Sequence, residues 1–284
     1  MKILPGSKIG IIACSDGCNI SKSTKFHQMK VLLESKFNIE IIQANTLYAS
    51  STSPFSGPAK KRAQELMSFY QDEEIAAIFD VSGGNAANQI LNYLDFDIIK
   101  KNPKPFVGYS DLTTILNAIY QKTGNQGYNF LLQNIVCSQK SLNNFKQVFI
   151  DDEKIPLHGK WLIGKYLGSS ILLGGNIRCL LKLAGTKYFP DFTNKILLLE
   201  SLSGLETSIA TFIAQYEQIG VFSLCDAVVI GQFTEAKKNG KQEIIHRMFK
   251  DIGERYQIPV LQTTQVGHSS DSIPVPIGST AIFS

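Results

Sequence analysis

Apolar and polar positions along the first half of the chain switch repeatedly between a strand period and a helix period. Residues 8–14 (Lys-Ile-Gly-Ile-Ile-Ala-Cys) form a short, continuously apolar run, the pattern of a strand buried on both faces. Phe26, Met29, Leu32 and Leu33 then recur at helical spacing over residues 22–36, and residues 39–42 return to strand. Residues 48–57 are rich in Ser, Thr and Pro and predict a loop. Pro58 stands where a helix begins, ahead of Ala63, Leu66, Met67 and Tyr70. A strand over 75–81, a helix over 86–93, a strand over 105–108 and a helix from about 111 to 121 follow. Such alternation predicts an α/β fold with a parallel sheet covered on both faces.

The character changes between residues 150 and 165. Asp151-Asp152-Glu153-Lys154 is charged, and residues 158–168 contain glycine and little periodicity. The lobe boundary is placed there, giving an N-terminal α/β lobe over 1–155 and a smaller C-terminal lobe over 165–284. Within the second lobe the pattern predicts strands at 196–199 and 227–230, helices at about 205–219 and 242–256, and a Pro-punctuated, β-like tail over 273–283. There is no internal repeat and no low-complexity segment.

A length of 284 residues suits one large α/β unit or two lobes. The 28 basic and 24 acidic side chains leave a net charge of only +4, with no long Lys/Arg run, which argues against a nucleic-acid partner. The N-terminus lacks the apolar segment and small-residue cleavage site of a signal peptide, and no stretch of ~18 apolar residues is present. The expected address is therefore the cytoplasm, with no membrane partner. The five cysteines, Cys14, Cys18, Cys137, Cys179 and Cys225, are far apart and form no Cys-x-x-Cys pair, so reduced thiols are expected and no metal or cofactor is implied.

Chemistry concentrates at a few turns. Residues 106–112 read Phe-Val-Gly-Tyr-Ser-Asp-Leu: an apolar strand ends in Gly-x-Ser and an amphipathic helix starts at once. A serine in that place is lifted out of the sheet beside a helix N-terminus, as a nucleophile requires, although Leu112 stands where a full Gly-x-Ser-x-Gly elbow has its last glycine. Helix capping by Ser110 or Asp111 explains the same residues. Gly83-Gly84 also follows a strand and would open on the same sheet edge, either as a ligand-facing backbone or as a plain turn. Gly174-Gly175-Asn176 is open to the same two readings. Among the four histidines, His268 lies in a Gly/Ser-rich loop, where it serves either as a base or as an exposed side chain; His27, His158 and His246 read as surface or packing residues. Four aliphatic residues, 196–199, deliver Glu200 to a strand end, as an orienting acid or a solvated terminus.

These segments, in order with Gly231-Gln232-Phe233 and Pro276-Ile277-Gly278, resemble the LD-carboxypeptidases (muramoyltetrapeptide carboxypeptidases) and the related microcin C self-immunity peptidases over nearly the whole chain. The resemblance implies a flavodoxin-like first lobe bearing Ser110 as nucleophile and a β-rich second lobe bearing His268 as general base and Glu200 as its orienting acid. It also implies an oxyanion hole made by the backbone N–H groups of Gly84 and Asp111, a metal-free site in the cleft between lobes, and a homodimer. Gly83 to Asn88, Leu94 to Asp97 and Ile119 to Gly124 look closer to the immunity branch. Ser82 stands where the carboxypeptidase branch more often has Arg, and Ser201 and Gly204 where it has acidic residues. Trp161, the only tryptophan, lies in the poorly matching linker, so no adenine-stacking aromatic is assigned.

The expected function is hydrolysis of an amide bond in a small peptide-like substrate, either a murein L,D-tetrapeptide or a microcin C-type aminoacyl-nucleotide. The alternative is a non-enzymatic, two-lobed protein that holds a small ligand.

Overall fold

Each continuous apolar run becomes a strand and each helical-period segment packs against it. The computed structural model describes residues 2–19 and 23–284, so position 22 of the first expected helix lies outside the described residues. In chain order the first half contains β1 (Lys8–Ile12), α1 (Ser23–Phe37), β2 (Glu40–Gln43), α2 (Ala59–Gln71) and β3 (Ile75–Asp80). Then come α3 (Phe96–Lys101), β4 (Phe106–Gly108), α4 (Thr113–Thr123), β5 (Gly127–Asn129) and α5 (Gln139–Phe145). The second half holds β6 (Lys160–Ile163), β7 (Ile171–Asn176), α6 (Ile177–Leu181), β8 (Lys195–Ser201), α7 (Glu206–Gln218) and β9 (Ala227–Phe233). It closes with α8 (Thr234–Lys238), α9 (Gln242–Tyr256), β10 (Val260–Gln262), β11 (Val275–Ile277) and β12 (Ser279–Thr280).

The first sheet runs β11-β5-β4-β3-β1-β2. Its β1 to β5 strands are parallel, in the flavodoxin-like order 2-1-3-4-5, and β11 joins β5 antiparallel. Ligands in such sheets sit beyond the carboxyl ends of the strands, where the order reverses between β1 and β3. The second sheet runs β12-β7-β8-β9-β10-β6, with β7 to β10 parallel and β12 and β6 antiparallel at its edges. The protein is thus α/β throughout, with two mixed sheets. The sheets do not divide strictly along the chain: β11 returns from the C-terminal tail to the first sheet, and β6 lies within the segment of weak periodicity.

Helix α9 matches its expected span and shows why its periodicity is legible: Ile245, Phe249, Ile252 and Gly253 form its buried stripe. The expected helix over 86–93 is instead a 3-10 helix over Ala87–Tyr93. Its carbonyl at Leu91 and the Asn92 side chain accept from Tyr188 Oη, and its first N–H goes to Asp111, so both ends of a seven-residue span are held by other elements. Strands β5 and β7, three and six residues long, carry too little pattern to separate from loop.

One apolar core lies on the α2/α4 side of the first sheet and continues into the second lobe, joining Ile115, Leu116 and Ile119 of α4 to Leu172, Leu198 and Val229. A second, on the opposite face, gathers Phe37, Phe79, Phe145 and Phe149 around α1 and α5. At the lobe junction the backbone of β7 lies against α4. Asn117 of α4 donates to Gly174 O at 2.9 Å and accepts from Gly174 N at 2.9 Å, while Thr113 Oγ1 accepts from Asn176 N at 2.9 Å. Gly175 is needed for this approach, because a Cβ there would lie 2.6 Å from Thr113 Oγ1; Gly174, at φ +114°, has Leu198 O of β8 2.2 Å from where a Cβ would stand. Asn117→Ala leaves a buried N–H and C=O of Gly174 unpaired, so a loss of roughly 2–4 kcal/mol in unfolding free energy is expected, read by urea denaturation.

Candidate active site

Three turns from two lobes meet at the carboxyl edge of the first sheet. The first is the turn after β4. Tyr109 is fully extended (φ −142°, ψ 178°) and Ser110 then flips to φ +55°, a left-handed conformation uncommon outside glycine. A 3-10 turn over Ser110–Leu112 leads into α4, and neither helix takes a side-chain cap from Ser110. Capping therefore does not account for this serine. The turn is tight enough that a Cβ on Gly108 would lie 2.8 Å from Leu112 Cβ.

The second and third turns supply an acid and an imidazole. Glu200, near the end of β8, is 1% exposed, and its Oε2 accepts from His268 Nδ1 at 2.7 Å. Its Oε1 accepts from Asn176 Nδ2 at 3.1 Å, so both carboxylate oxygens are engaged. A carboxylate on Nδ1 fixes the neutral ring as the Nδ1–H tautomer and leaves Nε2 with its lone pair free to accept a proton. Nε2 is buried and has no hydrogen-bond partner among the described residues. The ring of Tyr109, the residue before Ser110, packs on His268 with centroids 5.1 Å apart. The His268 loop is held by Ser272 Oγ donating to Gly267 O at 2.8 Å and by Gln232 Nε2 donating to Ser269 Oγ at 2.9 Å. The structure thus joins His268 to Glu200 directly, and brings the Ser110 turn to the imidazole through Tyr109 without a Ser110–His268 hydrogen bond.

Gly84 lies in the turn after β3, at φ +129°, and no hydrogen bond among the described residues engages its N–H. The neighbouring backbone is braced from below. Asp111, fully buried, accepts from Ser15 Oγ at 2.6 Å and Ala87 N at 2.8 Å, and pairs with Lys182, which also donates to Asn85 O at 2.9 Å. Arg62, also buried, donates to the carbonyls of Gly57, Cys14, Ser15 and Ala86 and to Gln89 Oε1. Asp80 accepts from Cys14 N at 2.7 Å and from the N–H and hydroxyl of Ser82. The turns after β1, β3 and β4 are in this way one hydrogen-bonded unit. A cavity of about 290 Å3 opens beside it, lined by Asp16, Phe26, Tyr48, Gly84, Tyr109 and Gln133 among others. A second cavity of about 310 Å3, behind β11 and β12, touches none of the expected site residues.

Sequence reasoning did not find Asn176, Tyr109 and Lys182 as parts of this assembly. Asn176 lay in a glycine pair readable as a turn, and nothing in the pattern around Lys182 or Tyr109 points to a partner so distant in the chain. Among the described residues no cluster of three His, Cys, Asp or Glu is arranged to hold a metal ion. The cysteines form no disulfide, and burial pushes the Cys14 thiol well above its ordinary range.

A flavodoxin-like lobe with a strained serine turn, facing a second lobe that carries a carboxylate–imidazole pair, is the build of a two-lobed α/β hydrolase. Comparison with known proteins narrows this. The LD-carboxypeptidase N-terminal domain profile matches residues 9–129 and the C-terminal domain profile residues 169–283. The chain belongs to the LD-carboxypeptidase family of serine peptidases and is a hydrolase. The Bacillus subtilis protein YocD is 28% identical over 310 residues, covering 98% of this chain and 94% of its own. Among solved structures, the microcin C7 self-immunity protein MccF with aspartyl sulfamoyl adenosine superposes with a TM-score of 0.83 at 22% identity, covering 98% of this chain and 93% of its own. The muramoyltetrapeptide carboxypeptidase of Oxalobacter formigenes gives 0.77 at 23%, covering 96% and 94%. At those identities the structures bear on the fold alone.

Two measurements check the bracing. Lys182→Met strands the buried Asp111 carboxylate and should cost roughly 3 kcal/mol, much of it recovered in Lys182→Met/Asp111→Asn, as a double-mutant denaturation cycle would read. Burial raises the Asp80 carboxyl to about 6, against the opposing hydrogen bonds from Ser82 and Cys14. Between pH about 4 and 6 the folded protein therefore holds a proton that the unfolded chain has released, so stability falls as pH rises through that window and levels off above it. Asp80→Asn should shrink the fall by up to ~3 kcal/mol in urea titrations across pH 4–7.

Proposed function

We propose that this protein is a serine peptidase working through Ser110, His268 and Glu200 on an amide bond in a small peptide-like substrate. The observation that carries the reading is the buried His268–Glu200 pair at 2.7 Å, with Nε2 lacking any partner among the described residues, set beside a serine turn in a left-handed conformation. A buried imidazole with one nitrogen pinned and the other idle is poorly explained by stability alone, because the unpaired nitrogen costs desolvation.

Chemistry follows from the placement. Ser110 Oγ attacks the scissile carbonyl as its proton passes to His268 Nε2, and Glu200 stabilises the imidazolium through Nδ1–H. The N–H groups of Gly84 and Asp111 receive the oxyanion, each worth roughly 3–4 kcal/mol of barrier lowering. His268 then protonates the leaving amine, and water releases the acyl group by the same steps in reverse roles. Asn176 keeps Glu200 from turning away from the ring.

Two substrate types fit this reading. Among relatives, a Pseudomonas aeruginosa protein is named murein tetrapeptide carboxypeptidase and an Escherichia coli protein the microcin C7 self-immunity protein MccF. Both substrates present a small amide next to a polar leaving group, and the cavity beside Gly84 is of a size for one residue of either. Ser82 and Gly204, which depart from the carboxypeptidase branch, favour the aminoacyl-nucleotide type. The protein would act as a homodimer, as the family resemblance implies, at the cytoplasmic address expected from its sequence.

Ser110→Ala should lower hydrolysis of both an L,D-tetrapeptide and an aminoacyl-sulfamoyl-adenosine by about 10^3-fold or more, with the unfolding transition unmoved. A fluorophosphonate should label the native protein once, at Ser110. Reversible ligand binding with neither labelling nor turnover would instead make it a binding protein.

A further inference from the structure

The turn after β1 puts a carboxylate where it bears on the charge that a substrate can carry. Asp16 N–H donates to Gly83 O at 3.1 Å, and the side chain lies so close to the α-carbon of Gly84 that a Cβ there would overlap the carboxylate. No hydrogen bond or ion pair engages that carboxylate among the described residues, although it lies on the wall of the cavity beside Gly84. It is the one formally charged side chain among the described residues lining the cavity, whose other walls include the rings of Phe26, Tyr48 and Tyr109 and the amides of Asn19 and Gln133. Phe26 and Tyr48 meet edge to face, with centroids 6.5 Å apart. Arg62 feels the Asp16 charge, but its guanidinium is spent on the carbonyls of the turns beneath and does not line the cavity.

A bare carboxylate against Gly84 is a liability for the chemistry proposed above, since it repels negative charge growing on an oxygen held by the Gly84 N–H. An ammonium group seated on Asp16 removes that repulsion, and the surrounding aromatic rings suit a cation. The cation is then worth more in the transition state than in the ground state, so selectivity enters the chemical step as well as binding. We propose that this site selects amide substrates bearing an ammonium group close to the scissile carbonyl, with Asp16 as its receptor. The inference rests on Ser110 being the nucleophile and the Gly84 N–H an oxyanion donor.

The test uses two fluorophosphonates of equal size, one with a trimethylammonium on its alkyl tail and the other with a tert-butyl group in its place. Rates of Ser110 labelling are measured on the full chain and on Asp16→Asn, which keeps the side-chain shape. In the native protein the cationic probe should react roughly tenfold faster, and in Asp16→Asn the two rates should agree within about twofold, with the neutral probe faster than on the native protein. Equal rates in the native protein, or a cationic preference that survives in Asp16→Asn, would overturn the role of Asp16 while leaving the serine peptidase reading intact. Labelling by neither probe would overturn both. Asp16→Glu, which restores the charge, should restore part of the preference, and an unfolded Asp16→Asn is recognised by its melting curve.

Discussion

The seam between α4 and β7 governs the rest of this molecule. The proposed nucleophile sits on one lobe and the carboxylate–imidazole pair on the other, so no chemistry is available until the lobes have one fixed relation. Asn117 sets it by clasping both backbone groups of Gly174, and Thr113 extends the contact by two residues to Asn176, the partner of Glu200. These bonds are buried, where an unmet polar group is costly, which makes the correct docking strongly preferred over a slipped one. A side chain at position 175 would strike Thr113 of α4, and one at 174 would strike the backbone of Leu198 in the neighbouring strand β8.

The same economy appears around the site. Asp111 follows Ser110 in sequence, and its carboxylate reaches Ser15, Ala87 and Lys182, tying the turns after β1, β3 and β4 to a helix of the second lobe. Arg62 and Asp80 complete the brace from beneath. Ser110 can hold a left-handed backbone, at a cost of order 1–3 kcal/mol, because neighbours on every side over-determine the turn. Rigid turns on a parallel sheet would thus hold the N–H groups of the proposed oxyanion hole in place before any ligand arrives.

Much of the architecture was legible in the chain. Strands buried on both faces, such as those containing residues 9–12 and 196–199, announce themselves as unbroken aliphatic runs, and α9 shows a clear apolar stripe. The short strands β5, β6 and β7 were not legible as strands, because three to six residues carry no period and their pairing is with chain far away. The 3-10 helix at 87–93 read as α-helix, since i+3 and i+4 spacing cannot be told apart over two turns. At the site, Ser110, His268 and Glu200 stood out singly as turn, loop and strand-end residues, each with an ordinary explanation; the family resemblance gave them a common purpose.

The sequence by itself determined which of the longer segments fold as strands and helices, and that the side chains proposed to react stand at their ends, because periodicity and turn chemistry are local properties. Only the tertiary structure decided that His268 meets Glu200, that Lys182 answers Asp111, and that Asp16 presses against Gly84. Those meetings join residues 68, 71 and 68 positions apart, and a contact across such a span depends on how two sheets dock, which no stretch of chain encodes alone.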